Sequence, residues 1–548
     1  MQIKFHPVFT LFFLILAACG GATDKMATPD KGEPDVYTDG IETIQNPDML
    51  KATIDFKPGS TKLDTQQLQK IANYNATLNT LNINTMELGV LTDADDNTEA
   101  LSKQRADVVR EALLNLGDDS RSIANTSDTT TSTTPSTQAN SIEITAIADK
   151  KMSDCQEQGL KDDYSSKPTR RLFDCVSVFY GTNRLRQSNL QNPYGPAPIP
   201  ADDNIKLGKI IVTLPSKHKP GAKVKKLDED EEYPTQKERG KFFTVWDWQD
   251  EDELTDEAFK LLARHQIKET GPYKNQAFVF IHGFNVNFRN AAFRTAQIKA
   301  DIEFDGPAFL FSWPSNGSTS QYLSDQDDAD LSARRLMEYL QMIRTGVGSG
   351  TKIHIIAHSM GNRVFAQTLR NMKDLPPDQQ VDFDVAVFAS ADLSARLFEE
   401  WVVNTVTETT DSGKAAINRA MIYSTKDDKA LGFSSFLRQS GEIPFERVGL
   451  IKNDTPSIFG APFETIDLTN IKSNILTFSK LQVNNKFSTN HSKYVESLPT
   501  VCHIGQIFRG GDITKSNDTG NIARQEIDGK TYWTMEKQNA LAKRCVWE

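Results

Sequence analysis

Hydrophobic and polar positions fall into three regimes along the chain. Residues Met1 to Ala18 are mostly apolar, with Lys4 ahead of an uncharged stretch from Val8 to Ala18. Gly20 to about Asn46 is polar and rich in Asp, Pro, Gly and Thr, a composition that spaces rather than packs. The pattern then becomes structured. Ala52-Thr53-Ile54-Asp55-Phe56 alternates with period two, Leu68, Ile71 and Leu78 recur at helical spacing, and Met86-Glu87-Leu88-Gly89-Val90 alternates again. A helix opens near Leu101, with Ser102 as N-cap, Val109, Leu113 and Leu116 on its apolar face and Gly117 as its stop. After a Ser/Thr-rich low-complexity stretch between Ser120 and Asn140, Ser141 to Ile147 reads as another strand. This order predicts a small α+β domain.

The structured regime continues through a longer stretch. Ala277–Ile281, Ala308–Phe311, Lys352–Ile356, Phe383–Phe388 and Ala420–Tyr423 are short apolar runs of the fully buried type, separated by helical patterns. In the helix before Lys352, Ala333, Leu336, Met337, Leu340, Ile343 and Val347 share one side. Strands alternating with helices predict an α/β domain, a mostly parallel sheet covered on both faces. The stretch from Phe433 to Asn490 carries no interpretable motif and is a candidate lid. Residues after Gly511 are polar and read as a tail.

Composition narrows the function classes. The chain has 548 residues, and Lys+Arg 62 against Asp+Glu 73 leave a net charge of −11 with no long basic run, a poor basis for nucleic-acid binding. No apolar stretch reaches the roughly 20 residues that span a bilayer, which argues against a polytopic membrane protein. Of the 5 cysteines, Cys19 follows the apolar leader. The remaining four suit two disulfides in an oxidising compartment. Proximity favours Cys155 with Cys175 and Cys502 with Cys545, one of three connectivities. No Cys-x-x-Cys or matched His spacing suggests a metal.

Two resemblances bear on the N-terminal half. Leu16-Ala17-Ala18-Cys19 resembles a bacterial lipobox, which implies a cleaved leader and a diacylglycerol on the Cys19 thiol. No Asp follows the cysteine. By that resemblance the mature protein is an outer-membrane lipoprotein facing the periplasm. Ile54-Asp55-Phe56-Lys57-Pro58-Gly59-Ser60, Leu91-Thr92-Asp93 and Leu101-Ser102-Lys103-Gln104-Arg105-Ala106 resemble the OmpA-like peptidoglycan-binding domain. The resemblance implies that Asp93 takes the ammonium and Arg105 the carboxylate of diaminopimelate, the latter suited to a planar guanidinium fork. The chain departs from that pattern at Val90-Leu91 and in the short segment from Asp93 to Leu101.

The strand ending at Ile356 runs into Ala357-His358-Ser359-Met360-Gly361 and then a helix, the context of a nucleophile elbow. Ser359 would sit at a helix N-terminus, where the dipole favours developing negative charge. In an elbow of this kind the acid and then the histidine follow the serine in sequence. Of the 8 histidines only His491 and His503 lie beyond every acid candidate. His491, in a polar loop, is favoured as the base. His503, beside Cys502 and Ile504, suits a structural role. The acid falls in Asp427-Asp428, after the fifth strand, or at Asp392, after the fourth. The two oxyanion donors would be the N–H groups of Met360 and Phe284, with Gly283 allowing close backbone approach; His282 reads as a loop-fixing hydrogen bonder.

These residues resemble a bacterial α/β-hydrolase family of unknown function. The likeness runs from about Val176 to Tyr494 through Phe179-Tyr180-Gly181-Thr182-Asn183-Arg184, Leu214 to His218 with Gly221, Phe280 to Val286, Phe311 to Ser315, Ala357 to Arg363, Asp428 to Leu431, and His491-Ser492. It implies an α/β-hydrolase fold and favours Asp428 as the acid of a Ser359–Asp428–His491 triad acting on an ester or amide. Such a triad uses no metal or organic cofactor.

Together these readings give a signal peptide over 1–18, a tether over 19–47, an OmpA-like domain over 48–172, a hydrolase domain over 173–510 and a tail over 511–548. The function expected is a periplasmic serine esterase anchored at the outer membrane, with peptidoglycan and an ester or lipid substrate as partners. The alternative is a non-catalytic lipoprotein scaffold that links the outer membrane to peptidoglycan.

Overall fold

A computed structural model describes residues 41–547 apart from 44–48, 58, 81–84, 92–98, 117–121, 126–140, 148–149, 162–169, 228–232, 251–253, 255, 316–320, 408–415, 438–445, 472–489, 513–514, 516–519 and 538–543. The leader, Cys19 and Asp93 therefore lie outside the described residues.

The alternating segment near Ala52 becomes the strand Met49–Asp55, within a five-stranded sheet ordered Ile41–Thr43, Met49–Asp55, Ser141–Ile147, Thr85–Leu91, Ser122–Asn125. Strand side chains of one parity, Ala52, Ile54, Phe56, Ile142 and Ile144, are buried against Ile71, Tyr74, Ala106, Val109 and Leu113 of helices Thr65–Thr80 and Glu99–Leu116. The helical faces are rotated from those the apolar spacing predicts. Leu68 is 45 % and Leu116 46 % exposed, and Tyr74 fills the core instead. The second helix begins at Glu99, which puts Ser102 inside its first turn rather than at its cap.

The larger sheet has eleven strands, in the order Thr244–Gln249, Lys206–Pro215, Phe173–Thr182, Ala308–Ser312, Gln276–Ile281, Lys352–His358, Phe383–Ala389, Ile417–Ser424, Phe463–Asp467, Lys530–Lys537, Gly520–Ile527. Pairing is parallel from Phe173–Thr182 to Lys530–Lys537 and antiparallel at both edges. Alternate residues feed two cores: Val279, Ile281, Phe309, Ile353 and Ile355 on one face, Phe278, Phe280, Leu310 and Ile356 on the other. From Gln276–Ile281 the chain crosses to Ala308–Ser312 on one side, then returns to Lys352–His358 on the other. The strand order reverses between Gln276–Ile281 and Lys352–His358, so their carboxyl ends flank the crevice where α/β sheets place their sites.

Three segments differ from the sequence pattern. Residues 520–537 form a hairpin that closes the sheet edge, so the sheet continues beyond the expected limit at 510. The stretch read as a candidate lid contains the strand Phe463–Asp467, paired with Ile417–Ser424. Residues 150–158, inside the range expected for the small domain, form the helix Lys150–Gln158, which packs on the large sheet through Cys155, Phe173 and Ile211. The disulfides Cys155–Cys175 and Cys502–Cys545 both form. The first ties that helix to the strand Phe173–Thr182. The second ties the C-terminal residues to helix Leu498–Phe508.

Candidate active site

Ser359 follows the strand Lys352–His358 and precedes helix Gly361–Lys373. Its φ is +54°, a left-handed conformation that costs a β-carbon residue about 1–3 kcal/mol and persists only where the surroundings enforce it. Four hydrogen bonds do so. The Ser359 N–H donates to Ala389 O at 3.0 Å, and Ser359 O accepts from Asn362 N at 3.1 Å, Asn362 Nδ2 at 3.0 Å and Asp392 N at 3.1 Å. Gly361 is required for a different reason. A Cβ there would lie 2.5 Å from His282 O and 2.7 Å from Ile281 O, so the elbow packs on the carbonyls of the neighbouring strand end.

The turn His282-Gly283-Phe284-Asn285 lies directly against the elbow. A Cβ on Gly283 would meet Ser359 Cβ at 2.6 Å. The turn is held from behind. Trp313 stacks on His282 and donates its Nε1–H to His282 O at 2.7 Å, while the Asn285 N–H donates to Ser315 Oγ at 2.8 Å. Arg184 is fully buried and donates to Val286 O at 2.7 Å, Gly195 O at 3.1 Å and Ser312 Oγ at 2.9 Å. Burial first, and the Arg184 charge second, push the His282 imidazole down to about 3. A neutral ring that donates Nδ1–H to Gly283 O at 2.8 Å can accept at Nε2 from Arg184 Nη2 at 3.3 Å. His282 thus fixes the loop. The buried Met360 and the half-buried Phe284 flank the serine, and neither backbone N–H has a hydrogen-bond partner among the described residues.

The structure brings His491 and Asp428 together. His491 Nδ1 lies 2.7 Å from Asp428 Oδ2, and Asp428 Oδ1 accepts the Leu431 N–H at 3.0 Å. Burial acts to lower the His491 pKa, but the charge and hydrogen bond of Asp428 outweigh it and hold the value above the ordinary 6.5. The imidazole is brought to the elbow by His358, the residue before Ser359. The two rings are 4.7 Å apart, and His358 Nε2–H donates to His491 O at 3.1 Å. Burial, then the proximity of His491, keep His358 well below the usual histidine range, so it stays neutral.

The competing candidates occupy other positions. Asp427 binds Asn490 and Lys493 on either side of His491 rather than the ring itself. Asp392 accepts from Tyr322 Oη at 2.7 Å and Ser434 Oγ at 2.5 Å and pairs with Arg447 at 3.2 Å. His503 is buried in a helix, with Nδ1 at 2.7 Å from Tyr423 Oη. In the small domain, Arg105 is 4 % exposed, donates to Ser60 O at 2.9 Å and Lys57 O at 3.3 Å, and lies over the Phe56 ring. Asp93, its expected partner in binding, lies outside the described residues.

Sequence reasoning missed the roles of His358, Asn362, Asp427 and Lys493. His358 stands inside the elbow motif, Asn362 directly follows it, and Lys493 stands two residues past His491. Their contacts are to atoms brought in from other parts of the chain, backbone for His358 and Asn362 and side chains for Asp427, which spacing alone does not reveal.

Residues 257–498 match the family described as alpha/beta hydrolase of unknown function (DUF900). The match spans Ser359, Asp428 and His491 and begins after the three strands at one edge of the large sheet. Among solved structures, the chain is similar to the OmpA-like domain of FopA1 from Francisella tularensis subsp. tularensis SCHU S4. The identity is 18 % over 20 % of this chain and 82 % of that one, with a TM-score of 0.17. No curated protein matches the chain. Over residues 257–498, then, the chain has an α/β-hydrolase fold and is similar to that family of unknown function.

Proposed function

We propose that the protein is a serine hydrolase for carboxylic esters, with Ser359 as nucleophile, His491 as general base and Asp428 as the acid that orients it. The observation that carries this reading is the 2.7 Å Asp428–His491 bond, with the His491 backbone held by the residue adjoining a left-handed Ser359. Asp428 holds the Nδ1–H tautomer, which leaves Nε2 with its lone pair for the serine proton.

In this mechanism Ser359 Oγ adds to the ester carbonyl carbon as its proton passes to His491 Nε2. The carbonyl oxygen becomes an oxyanion within reach of the Met360 and Phe284 N–H groups, at the N-terminus of helix Gly361–Lys373. The tetrahedral adduct collapses, the C–O bond to the alcohol breaks, and the alcohol leaves with the proton from His491. Water then attacks the acyl-serine by the same route, releasing the acid and restoring the hydroxyl. Ser359→Ala should abolish turnover of short p-nitrophenyl esters while the melting temperature stays near that of the wild type. Undiminished turnover in a folded variant would remove Ser359 from the reaction.

We further propose that the enzyme is an outer-membrane lipoprotein, anchored through Cys19 and associated with peptidoglycan through its small domain. The support is the lipobox resemblance and the OmpA-like residues Asp93 and Arg105.

A further inference from the structure

The loop that carries the imidazole is joined to the acid loop by a buried cation. Lys493 is 2 % exposed. Its Nζ lies 2.7 Å from Asp427 Oδ1, 3.1 Å from Leu468 O, 3.2 Å from Thr425 Oγ1 and 3.2 Å from Thr469 O. Asp427 also accepts from Asn490 Nδ2 at 2.8 Å through its other oxygen. The carboxylate next to Asp428 in sequence therefore grips the residue before His491 and the residue two beyond it. The neighbours of Asp428 and of His491 are thus bonded to each other.

Burying an ammonium is costly, and a methionine would fill the same length with less desolvation. The strand ends do not need it to stay together, since the Leu468 N–H already donates to Ser424 O at 2.8 Å. What the cation adds is a directional link between two loops that must agree to within a fraction of an ångström.

We propose that Lys493, acting through Asp427, is a positioning residue for the general base; the inference rests on the serine-hydrolase reading. The charged groups around the imidazole are Asp428, Asp392 and Glu496, the last paired with Arg294 at 3.0 Å, with the neutral His358 ring alongside. Lys493 sets how squarely Asp428 meets the ring.

The test uses the full chain, p-nitrophenyl butyrate and the variants Lys493→Met, Asp427→Ala and Asp427→Asn. Lys493→Met and Asp427→Ala should each lower kcat by roughly 100-fold, the scale of a misplacement near one ångström, with KM within about threefold. Both should move the acid limb of kcat/KM to lower pH. The combined variant should be no worse than either alone, because the two side chains act as one unit. Asp427→Asn keeps an oxygen toward Lys493 and should recover most of the turnover. Folded variants with wild-type kcat and an unmoved acid limb, even if less stable, would overturn the proposal. Should Lys493→Met fail to fold, Asp427→Ala decides the matter, because that side chain is 43 % exposed. Wild-type protein that neither turns over ester nor takes up a fluorophosphonate would refute the hydrolase reading itself. Labelled wild type with unaffected variants refutes only the role of Lys493.

Discussion

Replacing Asp428 with Asn removes one charge and little volume. The carboxylate is fully buried, accepts the Leu431 N–H at 3.0 Å through Oδ1 and meets His491 Nδ1 at 2.7 Å through Oδ2. An asparagine can keep the Leu431 bond through its oxygen, which turns its amide N–H toward His491 Nδ1. That donor selects the tautomer protonated at Nε2, the wrong one for accepting the serine proton. In serine triads this change costs about 10⁴ in kcat, equivalent to about 5.5 kcal/mol of barrier. The pH profile supplies a second, independent readout. His491 must be neutral to act as a base, so activity rises as pH passes upward through its pKa. In the wild type Asp428 holds that pKa above 6.5 against the opposing effect of burial. Without the charge and the bond, burial acts against Asp392 and Glu496 alone, and the acid limb should shift downward. The assay is kcat/KM for p-nitrophenyl butyrate between about pH 5 and about pH 9. Wild-type turnover, or an acid limb that stays in place, would refute the assignment of Asp428 to His491.

Other perturbations follow from the same geometry. Gly283→Ala places a methyl 2.6 Å from Ser359 Cβ, which pushes the Phe284 N–H off the oxyanion position; kcat should fall by about 10²–10³, and unchanged turnover would contradict that role. Cys155→Ser combined with Cys175→Ser opens a 20-residue separation and should lower stability by about 3 kcal/mol in denaturant titrations, with ester turnover by the folded protein retained. Cys19→Ser should abolish palmitate labelling and membrane sedimentation; retention of both would exclude the lipid anchor. Arg105→Leu should remove co-sedimentation with purified sacculi, and wild-type binding by a folded variant would exclude Arg105 as the carboxylate fork.

Much of the site was legible because its parts lie at strand ends, and buried parallel strands announce themselves as apolar runs. The strands carrying Ser359 and the 282–285 turn coincide closely with Lys352–His358 and Gln276–Ile281. The acid and base could be narrowed by order along the chain, but choosing Asp428 over Asp427 and Asp392 needed a family resemblance, since all three are carboxylates near strand ends. Their partners separate them: imidazole for Asp428, lysine for Asp427, arginine and two hydroxyls for Asp392. The edge of the sheet was less readable. In Lys530–Lys537 only Met535 is buried, and Gly520–Ile527 buries Gly520 and Ile522, so the hairpin looks like a polar tail. Phe463–Asp467 is short and interrupted by Glu464 and Thr465, which hides a buried strand. Helix Lys150–Gln158 belongs to the large sheet through a disulfide and a small apolar cluster that no periodicity displays.

The direct test of the account is to expose the full-length chain to a fluorophosphonate and map the adduct by peptide mass. One phosphonyl group is expected, bonded to the Ser359 oxygen, with its formation lost in Ser359→Ala and slowed in Asp428→Asn. Well-folded protein that takes up no label, or takes it up at another residue with Ser359 unmodified, would contradict the claim that this hydroxyl is the nucleophile.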